Sequence, residues 1–547
     1  MTAMVRPATV RRPLSGTGVG MGVQVPERAS EPGWFKAARR RAAAWVDANG
    51  FPSTKHEDWR YTKLDAALAL PLAAPSGGAA EDGPGSVSSS DLPAPHLGGP
   101  RVVVVNGRVV PEMSALGAPL PGGIRVEPMA EALRGRDGRL EQSWARRVGG
   151  YPYAMRALND AAALDAVVID LSAETVVEDP IEVVFVSIGT GAARWSHPRL
   201  IVGAGARASA TLVETYLGLP GAPTVTNALT QVELGAGAEI VHYVLQGEST
   251  DSFHFSSLEG RLADRSRLSS RLLAAGGRIG RHEVDIVLAG QGSQVDLDGL
   301  FLTGSGQHHD NLLLVDHATM GCTSRQLYKG VVSGNGHGVF NGHVVVRPGA
   351  DGTDASQVNK NLLLCERAEV DTRPRLEINA DDVACSHGAA VGQLDPDAIF
   401  YLRSRGVPER EARVILVSGF AQEVLDRFAP GPIRQRAEQL AMSAGVVALD
   451  DHRHDPGAHR TVTAEAADAL PGGPGHERAG EPDGRGAMGL PGCARPERPP
   501  VSPRRGGAGR GRPASRRQLH RPGRPRDVGA SRRGRCRCSG HRGTRWR

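Results

Sequence analysis

Apolar positions in this 547-residue chain change their spacing twice. Near the start, Trp34, Phe35, Ala38, Ala42, Trp45 and Val46 fall at helical intervals, and Asn49-Gly50 supplies a stop. From about Val167 to Val391, short runs of Val, Leu and Ile alternate with small-residue turns, the texture of strands. After Gly392 the helical interval returns in Ala398, Phe400, Tyr401 and Leu402, then in Val414, Ile415, Val417, Phe420, Val424, Leu425 and Phe428. The pattern predicts a long β body with helical segments on either side.

Within the β body the turns recur. Gly203–Ala206, Gly235–Ala238, Ala263-Asp264 and Gly290–Gly292 begin 32, 28 and 27 residues apart. A two-sheet sandwich places roughly seven to nine strands in ~100 residues, and this region is about twice as long without a break in texture. Stacked coils of a parallel β-helix fit better, each burying an inward row of Val, Leu and Ile on its neighbours. The fold class expected is therefore mainly β, a solenoid whose apolar ends are capped by helical segments. The boundaries that follow are an unstructured start at 1–30, an N-terminal helical region at 31–166 with a Pro/Ala/Gly/Ser linker at 71–100, the β-helix at 167–391, a helical domain at 392–445 and a tail at 446–547. Inside the second of these, Asn106-Gly107 between Val102–Val105 and Arg108–Val110 reads as a hairpin, and helical spacing runs through Pro128–Val148 and Tyr153–Ala163. Trp59 and Tyr61 are expected to pack against the preceding helix.

Composition changes the picture at the C-terminus. From Asp451 onward there are 22 Arg, no Lys and 9 acidic residues, so the tail carries +13 and the remaining body −7 of the net +6. Rich in Gly and Pro and without apolar periodicity, the tail cannot offset the entropy of ordering it. One reading is an Arg-rich nucleic-acid arm; the other, better suited to Arg without any Lys, is read-through or shifted-frame translation of GC-rich DNA. Cys493, Cys536 and Cys538 lie in the tail, leaving Cys322, Cys365 and Cys385 in the body. An odd, sparse set without a CxxC pair points to a reducing compartment, and the expectation is a soluble cytoplasmic protein. No apolar run approaches the ~18 residues of a membrane span, and Met1–Gly22 lacks a signal-type core.

Candidate chemistry is confined to histidine and cysteine. No GxxxxGK[ST] loop, full GxGxxG, HExxH or GxSxG elbow occurs. His308, His309, Asp310, His317, Cys322, His337 and His343 have no metal-ligand spacing, and a solvated or hydrogen-bonded histidine on a coil face is the ordinary reading of each. Cys385-Ser386-His387 differs, because it lies on the last turn of the β body where a partner could dock; structural turn and ligand are equally open there. The helical segment beyond has an apolar stripe and a charged face with Arg403, Arg405, Glu409, Arg410, Glu411 and Arg413. It reads as amphipathic packing on the last coil or as a docking surface, with Phe400, Tyr401, Phe420 and Phe428 as anchors.

Three stretches carry a resemblance: VDHATMGCTSRQLYKGVV (Val315–Val332), GVFNGHVVVRPGADGTDASQVNKNLLL (Gly338–Leu364) and EVDTRPRLEINADDVACSHGAAVGQLDPDAIFYLRSRGV (Glu369–Val407). They resemble the SufB/SufD family of iron–sulfur cluster assembly proteins, over roughly Trp34 to Met442. HEDWRYTKL (His56–Leu64) resembles the amino-terminal segment of the SufD branch, which the SufB branch lacks. The resemblance implies a right-handed parallel β-helix acting as a non-catalytic scaffold. It implies pairing with a SufB-like paralogue through the β-helices, and docking of a SufC-like ATPase on about Leu394–Phe428 through Phe400, Tyr401, Arg403, Arg405, Phe420 and Phe428. It also implies that His387, with Cys385 as a weaker candidate, helps hold a nascent cluster shared with SufB. The chain itself would bind no cofactor tightly; iron or an iron–sulfur cluster would be held transiently at that interface. Where the SufB branch has a cysteine before its TxP turn, Ala368 and Glu369 stand here, ahead of Thr372 and Pro374. Alternatives are a SufB-type paralogue, a homodimer, or a β-helix carbohydrate-active enzyme; Asp285, Asp296 and Asp298 lack the matching Lys set for the last. Neither a membrane nor a nucleic-acid partner is expected of the body.

Overall fold

The structure, a computed structural model, describes residues 30–70, 87–93, 95–114, 123–134, 154–189 and 193–445, with a few isolated positions besides. The tail at 446–547, the first part of the linker at 71–100 and nearly all of the start at 1–30 lie outside the described residues.

The β body is built from two sheets between which the chain alternates. In the first, Ile181–Ser187, Ser209–Gly218, Glu239–Gly247, Arg267–Ala274, Gln294–Thr303, Thr323–Val332, Thr353–Leu363 and Val383–Gln393 lie side by side, all parallel. In the second, Val167–Leu171, Arg199–Ala204, Thr224–Leu234, Phe253–Leu262, Ile279–Leu288, His308–His317, His337–Val346 and Glu369–Ile378 do the same. Each visit to both sheets is one coil of a parallel β-solenoid. Along the first sheet a coil takes 27 to 31 residues, the register running from Arg267 to Gln294 at its shortest and from Thr323 to Asp354 at its longest.

One turn sets that period. Arg207, Gly237, Arg265, Gly292, Gly321 and Gly352 all have positive φ, between 52° and 71°. Each donates its N–H to a carbonyl of the next coil: Ala236, Asp264, Gln291, Met320, Asp351 and Asp382 respectively. A left-handed residue once per coil turns the peptide toward its neighbour, and glycine takes that conformation at the least steric cost. The small-residue turns legible in the sequence are these corners.

Alternate strand residues face inward. Ile240, Leu268 and Val295 form one inward row of the first sheet, and Ile286, Val315 and Val344 one of the second; all are buried in a single apolar cluster. Fully burying each such side chain stabilises by about 1.5–3 kcal/mol. The interior also holds polar groups. Burial alone would raise the Glu214 carboxyl, but hydrogen bonds from His242, Tyr216 and Thr230 outweigh it and hold the group below the usual carboxylate range.

The hairpin expected at Asn106-Gly107 is present, with positive φ at both residues, between Arg101–Val105 and Arg108–Val109. Its first strand continues the solenoid, pairing in parallel with Ile181–Ser187, so the β body begins earlier in the chain than residue 167. Helical segments are found on both sides, but they cover the outward faces of the sheets. Gly33–Asn49 packs with Ala154–Ala162 on the second sheet, burying Trp59, Phe253 and Phe255 in one cluster. Glu409–Leu425 and Pro432–Ser443 lie on the first sheet, where Val417, Val424 and Phe428 meet Tyr243, Leu273, Leu300 and Val331. The outward rows are apolar at those places, and the lateral helices remove them from water.

Burial holds His197 at about 4, His282 at about 3, His309 at about 4 and His317 at about 4, so all four are neutral in the folded chain at pH 5. Below the ordinary value near 6.5 the unfolded chain binds protons that these groups do not, so stability falls with falling pH, by ~1.4 kcal/mol per pH unit for each group. Denaturant unfolding at pH 7.5, 6.5 and 5.0 should show that loss, and His282→Gln should flatten it by about one group's share; equal slopes in the two proteins would exclude His282 as a contributor.

Candidate functional site

The last coil of the solenoid is where the sequence placed its candidate ligands. Val383–Gln393 pairs with Thr353–Leu363 on one side only among the described residues, and Glu369–Ile378 pairs likewise only with His337–Val346. Both are edge strands of ten or more residues with unpaired backbone groups.

Register decides where Cys385 and His387 point. Cys385 stands beside Ala355, and Ala355 beside Ser324 and Val295, an inward row. His387 stands beside Gln357 and Gln326 in the next inward row. A CxH spacing on a strand therefore puts thiol and imidazole on one face, roughly 7 Å apart along the chain. In any earlier coil that face is sealed; here Cys385 is half-buried and His387 exposed, at the open mouth of the interior. The two candidate ligands share this mouth. Ahead of Thr372 and Pro374, Ala368 is buried and Glu369 exposed.

The other histidines and cysteines are absorbed by the fold. His309 is buried between Thr303 and the Gly276 carbonyl at 3.0 and 2.9 Å, and His317 lies 2.8 Å from Ser324. His308 meets Thr62 at 2.8 Å, His337 meets Asp371 at 2.8 Å and His343 lies 3.5 Å from Glu377. Cys322 is fully buried near the Gly290 carbonyl, and Cys365 donates to the Gly334 carbonyl at 2.9 Å. Among the described residues, no three His, Cys, Asp or Glu side chains come together in a group that could hold a metal ion.

Two surfaces flank the last coil. On the second sheet, the segment around Trp59 docks across at least four coils rather than only on the helix before it. Arg281 lies 3.9 Å over the Trp59 ring and donates to the Asp58 carbonyl, Thr62 donates to buried Asp310, and Glu57 pairs with Arg373 of the edge strand. Burial would raise Asp310, against the Arg281 charge, and Arg373 lowers Glu57. Tyr61 sets its edge against His337. None of these partners could be read from the sequence, since they lie more than two hundred residues away.

On the first sheet, Lys329 is buried beneath the C-terminal layer, donating to the Phe420 carbonyl at 2.7 Å, pairing with Glu423 at 2.6 Å and lying 4.2 Å from the Phe420 ring centre. Burial lowers the Lys329 ammonium. Arg427 pairs with Asp298 at 2.7 Å. Phe428, a candidate anchor for a partner, is instead fully buried against Tyr243 inside this chain's own core, and Phe420 is half-buried over Lys329; both hold the helical layer to the sheet. The exposed anchors are on the helix Pro396–Ser404, which buries none of its residues: Phe400 is 71% and Tyr401 57% exposed. Arg405 lies over the Tyr401 ring, and Arg403 pairs with Glu409. Beside them a cleft of about 390 Å³ is lined by Leu364, Cys365, Ile399, Phe400, Arg403 and Arg413.

Comparison with known proteins decides the family. Residues 187–420 match the model of the SUF system FeS cluster assembly SufBD core domain, and residues 27–183 that of the SufBD protein N-terminal region. The iron–sulfur cluster assembly protein SufD of Escherichia coli is 30% identical over 394 residues, covering 71% of this chain and 88% of that protein. The chain belongs to the SufBD family. An iron–sulfur cluster assembly SufBD family protein of Synechocystis is 28% identical, covering 73% of this chain and 89% of the relative, and SufD of Bacillus subtilis is 28% identical over 48% of this chain and 60% of its own length. Among the described residues no helix is long and apolar enough to cross a membrane.

Membership and geometry together give a test of the mouth. Brief treatment of the native chain with iodoacetamide should label Cys385 and Cys365 while Cys322 reacts only after denaturation, as read by peptide mass mapping. Labelling of Cys322 before Cys385 would contradict the inward packing described for it.

Proposed function

We propose that this chain is the SufD-type scaffold subunit of an assembly that builds iron–sulfur clusters. The observation that carries the reading is the last coil: two unpaired edge strands beside a mouth that presents Cys385 and His387 on one face. An open coil end satisfies its backbone groups by receiving another strand pair, and a SufB-like paralogue with the same solenoid supplies one. Imidazole and thiolate are good ligands for iron, so the nascent cluster, as cargo, would be held between the two mouths with His387 and Cys385 as this chain's donors. Val391, apolar and 45% exposed on the same strand, belongs to the paired surface.

The second partner is a SufC-like ATPase on the helix Pro396–Ser404, where Phe400 and Tyr401 are the anchors and Arg403 and Arg405 the charged rim. Phe420 and Phe428 act there indirectly, by fixing the layer on which that helix stands. Because the helix follows the last strand after only Leu394 and Asp395, with Asp395 capping it through the Asp397 N–H, a shift at the ATPase is transmitted to the mouth over a short, stiff connection. Dimerisation of two ATPase subunits would then move the paired rods as rigid bodies and open or close the site between them. In this reading the chain turns over no substrate of its own.

Co-expression with the SufB-like paralogue and the SufC-like ATPase, followed by anaerobic purification, separates the parts. Val391→Asp should lose the paralogue and keep the ATPase, whereas the double substitution Phe400→Ala, Tyr401→Ala should do the reverse. His387→Ala should leave the complex assembled but reduce its iron and sulfide to background. Undiminished cluster in His387→Ala would remove that residue from the function, and a homodimer retained by Val391→Asp would move the pairing surface elsewhere.

A further inference from the structure

Beneath His387 the interior carries an amide that nothing within the fold uses fully. Gln357 is wholly buried, on the same inward row as His387 and one strand spacing away. Its Nε2 donates to Gln326 Oε1 at 2.9 Å, so the amide is oriented from below. Its Oε1 is buried and has no hydrogen-bond partner among the described residues. The side chain crosses the interior as far as Gly342 on the opposite sheet, where a Cβ would fall 2.0 Å from Nε2. Of the neighbouring amides, Asn359 donates to the Tyr328 carbonyl and accepts from Thr372 and Asn361. Gln326 Nε2 is also buried without a hydrogen-bond partner among the described residues, but it belongs to an amide that faces Gln357 through its Oε1.

An unused buried acceptor one strand spacing from an imidazole on an edge strand can be met by that ring. We propose that Gln357 is a positioning residue for His387: its Oε1 accepts an imidazole N–H, fixes one tautomer and leaves the other ring nitrogen free as a ligand. Histidines that bind metals are held in this way by the hydrogen bond on their second nitrogen. Gln326 orients the acceptor, and Gly342 leaves the room it needs. The inference rests on the reading of His387 as a cluster ligand for its purpose, though its geometry can be tested without any cluster.

The test is the nitrogen spectrum of the full chain carrying ¹⁵N-labelled histidine, with the His387 signals assigned by their loss in His387→Ala. The wild-type chain should show one His387 tautomer, its two nitrogens well separated in shift. Gln357→Leu should draw the two shifts together as both tautomers become populated. Gly342→Ala should do the same by displacing the amide, and Gln357→Glu, which keeps an acceptor, should retain the single tautomer. A tautomeric mixture in the wild-type chain overturns the proposal before any variant is made. So do unchanged shifts in both Gln357→Leu and Gly342→Ala, or a Gln357→Glu spectrum like that of Gln357→Leu. In the complete complex, Gln357→Leu should weaken iron retention by roughly 10–100-fold. Full loading in His387→Ala with the tautomer lost in Gln357→Leu refutes the ligand reading and leaves the positioning intact. Lost loading in His387→Ala with His387 unmoved in Gln357→Leu does the opposite.

Discussion

Everything in this protein depends on the backbone ladder between successive coils. No coil is stable alone, because each strand satisfies half its peptide groups on the coil before and half on the coil after. The left-handed corner residues tie the ladder together, one N–H per coil from Arg207 to Gly352. The consequence is a stack that must terminate, and termination exposes an edge. Natural sheets usually blunt such an edge with charge, proline or a covering loop. The strand Glu369–Ile378 follows that rule, with Arg373, Pro374 and Arg375 in it and Glu57 drawn over them. Val383–Gln393 does not: its residues are mostly small and nearly uncharged, with no proline or lysine among them.

The interior explains why the register is kept so strictly over eight coils. A row made only of Val and Leu tolerates a slip, since one apolar side chain replaces another. Glu214 with His242, Tyr216 and Thr230, and Glu248 with Thr226 and Gln246, do not tolerate it. A one-residue shift would turn a carboxylate to the outside and leave its donors buried without a partner. The polar groups inside the rod therefore select one alignment, and that alignment brings Gln326, Gln357 and His387 into one row.

How far the sequence could be read follows from the same geometry. Corner turns recur locally, so the solenoid was legible from Gly203, Gly235 and Gly290 without a partner being known. The CxH pair was legible for the same reason, since the two-residue period of a strand fixes its face. What could not be read was anything carried by contacts between distant stretches. Phe428 continues an apolar helical stripe that either the chain's own coils or a partner could cover, and Tyr243, far back in the chain, is what places it in the core. Trp59 beside the helix before it looked like local packing, whereas Arg281 and Asp310 draw the segment onto the sheet. The lateral position of the helices was hidden too, because it depends on outward rows such as Leu245, Leu273 and Leu300 that look identical in sequence to inward ones.

The arrangement at the mouth limits what one chain can offer a metal. A strand offers its side chains to one face every second residue, so a single terminal strand can present only a short row of donors, here a thiol and an imidazole. Iron in a sulfur cluster takes four ligands around each metal, with protein groups completing what the sulfides leave open. On the reading proposed above, two donors from one rod hold the cargo weakly, and the rest come from a facing rod when the edges pair. Weak holding by each half is useful in a scaffold, because separating the rods by a few ångströms then removes half the ligand set at once and lets the finished cluster leave. A site with all its donors on one chain would bind more tightly and release more slowly; dividing it across an edge makes release depend on the same backbone ladder that builds the fold.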